Sequence, residues 1–340
     1  AFDLWECDIT TFGPIIRDDL VEQSKLVAQY VELLAKRDVA FRDETLNLSG
    51  ILKYVTDADR KTRHEAEQAR WDFFSRHAEE LDNLYNDLVQ LRHKMAKKLG
   101  YKNFIELGYK LMQRVDYNQE DVEVFRQEIR DVVVPLALQI RKLQKENLEV
   151  DELMFWDEDV HSVEGNPTPN GDASWLIEQG KTMFERMHSE LHQFFVTMAD
   201  GGYLDLENRS TKAGGGFCTS FPTVGMPFIF TNSNETAHDV EVLVHEAGHA
   251  FQNRNSQTKS LSDYVWPTFE SAEIHSMSLE FLTWPHMELF FGDEAEKFRR
   301  YHLIKSLLFL PYGVAVDHFQ HMIYNKPEAT AQDAASLSPL

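Results

Sequence analysis

Apolar residues recur at three- and four-residue steps early in the chain, at Ile15, Ile16, Leu20, Leu26, Val27, Tyr30, Leu33 and Leu34. That is the period of an amphipathic helix. The same texture runs through residues 57–99, 101–112 and 120–148, with dense Arg, Glu and Lys on the other face and breaks at Gly50, Gly100 and around Tyr117. The pattern predicts a layered helical region from about residue 14 to 150. Asn166-Pro167-Thr168-Pro169-Asn170-Gly171-Asp172 reads as a loop, and 174–198 returns to helix. The texture then changes. Residues 214–218 and 226–231 read as two short strands, the first with a glycine-rich approach. Three more helical segments follow over roughly 237–254, 268–291 and 294–324. The expected fold class is mainly α, multi-helical, with a small β-sheet next to the helix that starts near 237. An N-terminal helical layer over 1–115 and a catalytic helical region over 116–340 are the expected division.

Composition narrows the function. The chain has 340 residues, with 34 basic against 56 acidic side chains and a net charge of −22. Such a surface repels phosphates, which argues against a nucleic-acid partner. No apolar run approaches the ~20 residues needed to span a bilayer, and no signal segment opens the sequence. Two cysteines, Cys7 and Cys218, make no disulfide framework and read as inert thiols in a reducing compartment. A cytoplasmic protein with no membrane partner is expected. The sequons at Asn47, Asn208 and Asn234 read as chance in that setting.

The chemistry sits in His245-Glu246-Ala247-Gly248-His249, an HExxH sequence. Four residues on a helix advance about 400°, so the two imidazoles lie only ~40° apart on one face and can grip one metal ion. Neutral imidazole suits zinc. Glu246, one step round, is placed to take a proton from a metal-activated water. Chance placement at this composition gives roughly 0.05 HExxH per chain, so the motif alone is suggestive.

The surroundings sharpen it. Thr236 and Asp239 predict a capping box at the start of the helix. Val240, Leu243, Val244, Ala247 and Phe251 form an apolar stripe, and His238, Glu241, His245 and His249 form another. Two histidines and one carboxylate make a catalytic zinc set. Glu273, in the next helical segment, is the expected third ligand. Glu280 or Glu270, on the same face as Glu273, is the expected acceptor behind a ligand imidazole. His238 and Glu241 are weaker candidates for contact with the site. Phe228, Ile229 and Phe230 would run beside the metal and, with a free sheet edge, could pair with an extended peptide; an ordinary buried strand is an equal reading. Gly215 and Gly216 would allow close backbone approach, or simply form a turn.

Leu243-Val244-His245-Glu246-Ala247-Gly248-His249-Ala250-Phe251-Gln252 and Glu270-Ser271-Ala272-Glu273-Ile274-His275-Ser276-Met277-Ser278-Leu279-Glu280 closely resemble the oligoendopeptidase F branch of the thimet-oligopeptidase family of zinc peptidases. The resemblance extends to Lys102-Asn103-Phe104-Ile105-Glu106-Leu107-Gly108-Tyr109, Asn166-Pro167-Thr168-Pro169, Ala213-Gly214-Gly215-Gly216-Phe217-Cys218 and Leu310-Pro311-Tyr312-Gly313-Val314-Ala315-Val316-Asp317. It implies a zincin-like helical bowl around a deep channel, one zinc per chain, and oligopeptide substrates cleaved by metal-activated water. On the motif match His245, His249 and Glu273 are ligands and Glu246 is the catalytic base. The family is longer at both ends, and its C-terminal His and Tyr segment, thought to stabilise the oxyanion, has no match here. The alternative is therefore a zinc-holding fragment that binds peptides with impaired turnover. A helical scaffold with an accidental HExxH is the remaining one.

Overall fold

The computed structural model describes residues 2–36, 38–330 and 333. The helices are α1 Phe2–Thr11, α2 Arg17–Leu34, α3 Leu52–Val55, α4 Arg60–Arg76, α5 Ala78–Lys98, α6 Phe104–Leu111, α7 Gln119–Glu128, α8 Val134–Asn147, α9 Ala173–Met187, α10 Ser189–Asp200, α11 Ala237–Ser256, α12 Phe269–Leu282, α13 Glu288–Phe291 and α14 Ala295–Asn325. The strands are β1 Val39–Phe41, β2 Glu44–Leu46, β3 Leu204–Glu207, β4 Phe217–Phe221 and β5 Met226–Ser233. The protein is mainly helical with a small sheet beside α11, as its hydrophobic pattern predicts.

Local chemistry sets several helix starts. The side chains of Asn103, Asn118 and Asp172 each accept a backbone N–H from the first turn of α6, α7 and α9, which satisfies donors the helix itself leaves open. The 174–198 stretch is two helices rather than one, because His188 adopts an extended conformation between α9 and α10. Helix also ends at Leu282, since Trp284-Pro285-His286 turns more tightly before α13.

Three strands escape the pattern. β1 and β2 form a hairpin whose turn holds Arg42 at φ 52°, with none of the glycine or asparagine that normally marks such a turn. β3, Leu204-Asp205-Leu206-Glu207, alternates apolar and acidic for only four residues.

The chain packs as two compact units. One comprises Ala1–Leu33, Phe73–Lys142 and Lys305–Leu340. Within it Ile16, Leu26, Leu33, Leu84, Leu91, Met95, Ala96 and Leu107 form a core. Asp19, almost fully buried, is held by Lys94 at 2.7 Å and Lys98 at 2.5 Å. The other unit comprises Leu34–Asp72 and Leu143–Ile304. Its larger core joins α9, α10, the sheet and α11, with Phe184, Phe195, Ile229, Val240 and Ala250 fully enclosed. A buried charge cluster lies in the same unit. Asp157, wholly enclosed, accepts hydrogen bonds from Arg60 at 2.7 Å, Arg63 at 2.8 Å and the Met154 backbone at 3.1 Å.

The sheet order is β3-β5-β4, with β3 parallel and β4 antiparallel to β5. Phe228, Ile229 and Phe230 therefore sit in the central strand. Ile229 pairs with Leu204 on one side and with Cys218 on the other, so this strand offers no free edge to a peptide. Its outer neighbour β4 does: among the described residues no strand pairs with its far side.

Candidate metal centre

α11 carries the HExxH sequence for reasons visible in its packing. Val240, Leu243, Val244, Ala247 and Phe251 are buried, as the apolar stripe requires, and turn His245 and His249 the other way. The start of the helix differs from the expected box. Thr236 makes no side-chain cap; its hydroxyl goes to Asn234 instead. Asp239 does the folding back, accepting from the backbone N–H groups of Asn234 and Glu235 and from the Ser233 hydroxyl. A short asparagine-rich connection supplies nearer partners than the threonine.

Gly248, inside the motif, determines what stands opposite. A Cβ built there would lie 2.6 Å from Cα of Ser276 and 2.9 Å from the carbonyl oxygen of His275. Only glycine lets the α12 backbone come this close. The approach carries Glu273, one turn before Ser276, to the two imidazoles. Ser276, fully buried, donates from its hydroxyl to the Glu273 carboxylate at 3.0 Å and fixes its direction.

The three side chains converge. His245 Nε2 lies 3.1 Å from Glu273 Oε2 and 3.2 Å from His249 Nε2, and His249 Nε2 lies 3.6 Å from Glu273 Oε1. Ligands held about 2.0–2.1 Å from one tetrahedral centre stand roughly 3.3–3.4 Å apart. The donor set and its spacing thus fit a single zinc-sized ion. Electrostatics agrees. Burial alone would lower His245, but the carboxylates of Glu273 and Glu280 outweigh it and push the imidazole up to about 10. Burial and the neighbouring His245 hold His249 down, and hydrogen bonding from His245 holds Glu273 below the usual range. The cluster favours positive charge at the point where the three meet.

Glu246, next to His245 on α11 and within electrostatic reach of Glu273 and Glu280, sits under different conditions. It is 6% exposed, and its Oε2 has no hydrogen-bond partner. Burial, reinforced by Glu273 and Glu280 and opposed by His245, pushes its carboxyl up to about 7. One backbone N–H does reach the carboxylate, from Cys218 in β4. Successive N–H groups of a strand point to opposite sides, so the open edge of β4 is the side that faces Glu246. Gly216, just before β4, would with a Cβ press to 3.0 Å from Val242 and 3.6 Å from Glu246 Oε1. Gly215, at φ 88°, makes the turn that leads in, and Asn232 ties the loop down by donating to the carbonyls of Ala213 and Gly215. The Cys218 thiol is pushed up to about 12 by burial and by Glu246.

Of the remaining expected residues, Glu280 stands behind His245, accepting from its Nδ1 at 2.6 Å. Glu270 is exposed and outside the converging set. His238 and Glu241 bond each other at 3.2 Å along α11. His302, which no sequence pattern singles out, is buried and lies 2.5 Å from Glu280. No local signal could have found it, because 22 residues and a second helix separate the pair. Gly248 and Ser276 were also missed as packing determinants, although both lie inside the quoted motifs.

The profile of peptidase family M3 matches residues 53–168 and 181–338. The chain belongs to peptidase family M3. Three solved structures superpose over 98% of it. A protein assigned as oligoendopeptidase F has 44% identity and a TM-score of 0.97, with 59% of that chain covered. Another so assigned, from Bacillus anthracis str. Ames, has 45% identity, a TM-score of 0.96 and 62% coverage. PZ peptidase A, solved with an inhibitor, has 44% identity, a TM-score of 0.97 and 60% coverage. The oligoendopeptidase F resemblance carried by the motifs is thus matched at the level of fold. The chain spans about three-fifths of the length of these M3 relatives. No curated protein matches it. Among the described residues no helix is long and apolar enough to cross a membrane.

Proposed function

We propose that this chain is a zinc-dependent oligopeptidase that hydrolyses short unfolded peptides. The observation that carries the reading is the convergence of His245, His249 and Glu273 within 4.8 Å beside a buried, underbonded Glu246. Those three residues would hold one zinc ion, which when bound supplies Lewis-acid polarisation of a water and of the scissile carbonyl. Glu246 takes the proton of the attacking water and hands it to the leaving amine, a role suited to a carboxyl raised to about 7. The outer edge of β4 receives the peptide backbone as an added strand. Residues 217–221 are the better substrate-pairing segment than 228–230, because among the described residues β4 has an unpaired side and the central β5 has none. Gly216 keeps the approach to Glu246 clear of a side chain.

A second reading keeps the metal and the peptide but not the turnover. It stays open because a held metal does not by itself turn over a peptide. Metal analysis of the purified chain, paired with a quenched-peptide cleavage assay, separates the two. The expected result is about one zinc per chain and cleavage abolished by chelator and restored by zinc. Zinc with peptide binding but no product supports the second reading. Equal zinc retention by Glu273→Ala would overturn both.

A further inference from the structure

We infer that His302 and Trp284 are positioning residues for the His245 imidazole, acting on it through Glu280. The inference rests on the metal-site reading above and adds residues that the HExxH pattern does not contain. Glu280 uses both oxygens. Oε1 accepts from His245 Nδ1 at 2.6 Å, and Oε2 accepts from His302 Nε2 at 2.5 Å. His302 Nδ1 in turn accepts the indole N–H of Trp284 at 2.9 Å.

The direction of every bond in this chain is forced from its far end. An indole nitrogen can only donate. His302 must therefore present a lone pair at Nδ1 and carry its proton at Nε2. Glu280 Oε2 lies 2.5 Å from that nitrogen and, as a carboxylate oxygen, can only accept. Its other oxygen then requires the proton of His245 to sit on Nδ1. The Nε2 lone pair of His245 is left pointing at Glu273 and His249, where the metal ligands meet. Three side chains, from α12, the turn after it and α14, thus select one tautomer and one ring orientation at His245.

The surroundings hold the relay still. His302 is 4% exposed. The Phe298 ring lies parallel to it at 5.8 Å, and Phe281 and Trp284 flank it at 4.9 and 5.8 Å. Locked partners behind a metal-binding imidazole typically change metal affinity about 10–100-fold when removed.

The test is an equilibrium titration of the full chain with Zn²⁺ alone against a competing chelator. His302→Phe keeps the ring and the aromatic packing but removes the hydrogen bond to Glu280. It is expected to weaken Zn²⁺ binding about 10–100-fold. His302→Gln, whose amide can donate to Glu280 and accept from Trp284, is expected to recover most of the loss. Nitrogen NMR of the zinc-loaded protein should show the His245 proton held on Nδ1 in the parent and in His302→Gln, and a weakened, exchanging Nδ1 proton in His302→Phe. A purely structural role predicts a lowered melting temperature in His302→Phe with the affinity of the folded protein and the Nδ1 proton unchanged; that outcome overturns the proposal. Should His302→Phe not fold, Trp284→Phe removes the first donor and carries the same test with a smaller expected loss. Failure of this inference is distinct from failure of the metal site itself. In the first case the parent binds Zn²⁺ and His245→Ala does not, while His302→Phe matches the parent. In the second the parent and His245→Ala bind alike, and the inference falls with the site.

Discussion

Two charged clusters in the same packing unit make opposite use of their carboxylates. Asp157 is wholly buried, and its oxygens are bonded by Arg60, Arg63 and a backbone N–H. Burial would raise its carboxyl, but the two arginines overrule that and hold it below the usual carboxylate range. At the candidate metal centre, among the described residues, no arginine or lysine bonds the carboxylates. Glu273, Glu280 and Glu246 gather around two imidazoles, Glu273 half-exposed and Glu246 with an oxygen unbonded. The first cluster closes its charges inside the chain; the second leaves them directed at something to be bound. Polar burial alone does not mark a working site. Convergence on one point, with a carboxylate oxygen left unbonded beside it, marks a candidate one.

The sharpest way to break the comparison is Glu246→Gln. It is expected to lower peptide hydrolysis by about 10²–10⁴-fold while zinc content and melting temperature stay at parental values, as steady-state kinetics and metal analysis would show. Full activity in the variant would remove Glu246 from the mechanism. Asp157→Ala should do the reverse. Leaving Arg63 buried without its carboxylate is expected to cost about 3–5 kcal/mol of stability, measured by denaturant unfolding. Its pH dependence has a definite sign. The native carboxyl is depressed, so its stabilisation is complete above the unfolded value near ~3.9 and is lost as pH falls through the lower native value. Acid unfolding of Asp157→Asn should therefore lack the part of the parental transition that lies below about pH 4. A smaller effect is expected from Gly248→Ala. Alanine favours helix by about 1 kcal/mol, but its methyl meets the α12 backbone, and overpacking typically costs about 1–3 kcal/mol. The clash is with main chain, which cannot swing aside, so stability is expected to fall by about 1–3 kcal/mol, and zinc affinity with it because Glu273 is pushed back. Parental affinity in Gly248→Ala would show that the helix contact does not place the ligand.

The same contrast explains what the sequence makes legible. The helices around the site and the third carboxylate follow from periodicity and residue type, which narrow the acceptor behind His245 to Glu280 or Glu270, because α11 and α12 each carry their chemistry on one face. What a periodicity argument cannot supply is which strand lies at an edge. β5 is the more apolar of the two and looks like the natural partner for a peptide, yet β3 occupies its other side after a separation in sequence that hides the pairing. The β1–β2 hairpin is hidden because Arg42 takes the left-handed conformation without a residue type that advertises it. His302 and the Asp157 cluster depend on contacts between distant segments, for which a single sequence offers no pattern. Gly248 was visible as a letter in a motif, while its reason, a neighbouring backbone at touching distance, exists only in three dimensions.

That contact has a consequence for how the centre can change over generations of mutation. Where two helices meet through side chains, each substitution at the seam shifts one helix against the other and carries any attached ligands with it. Here the seam at Gly248 and Ser276 is main chain on main chain. The relative registry of the segments 245–249 and 273–280 is set by atoms that every residue shares. Substitutions in the surrounding core can alter how firmly the pair is held without altering how its donors are spaced. The two segments amount to a portable unit, one that a designer could lift into another helical scaffold with its spacing intact.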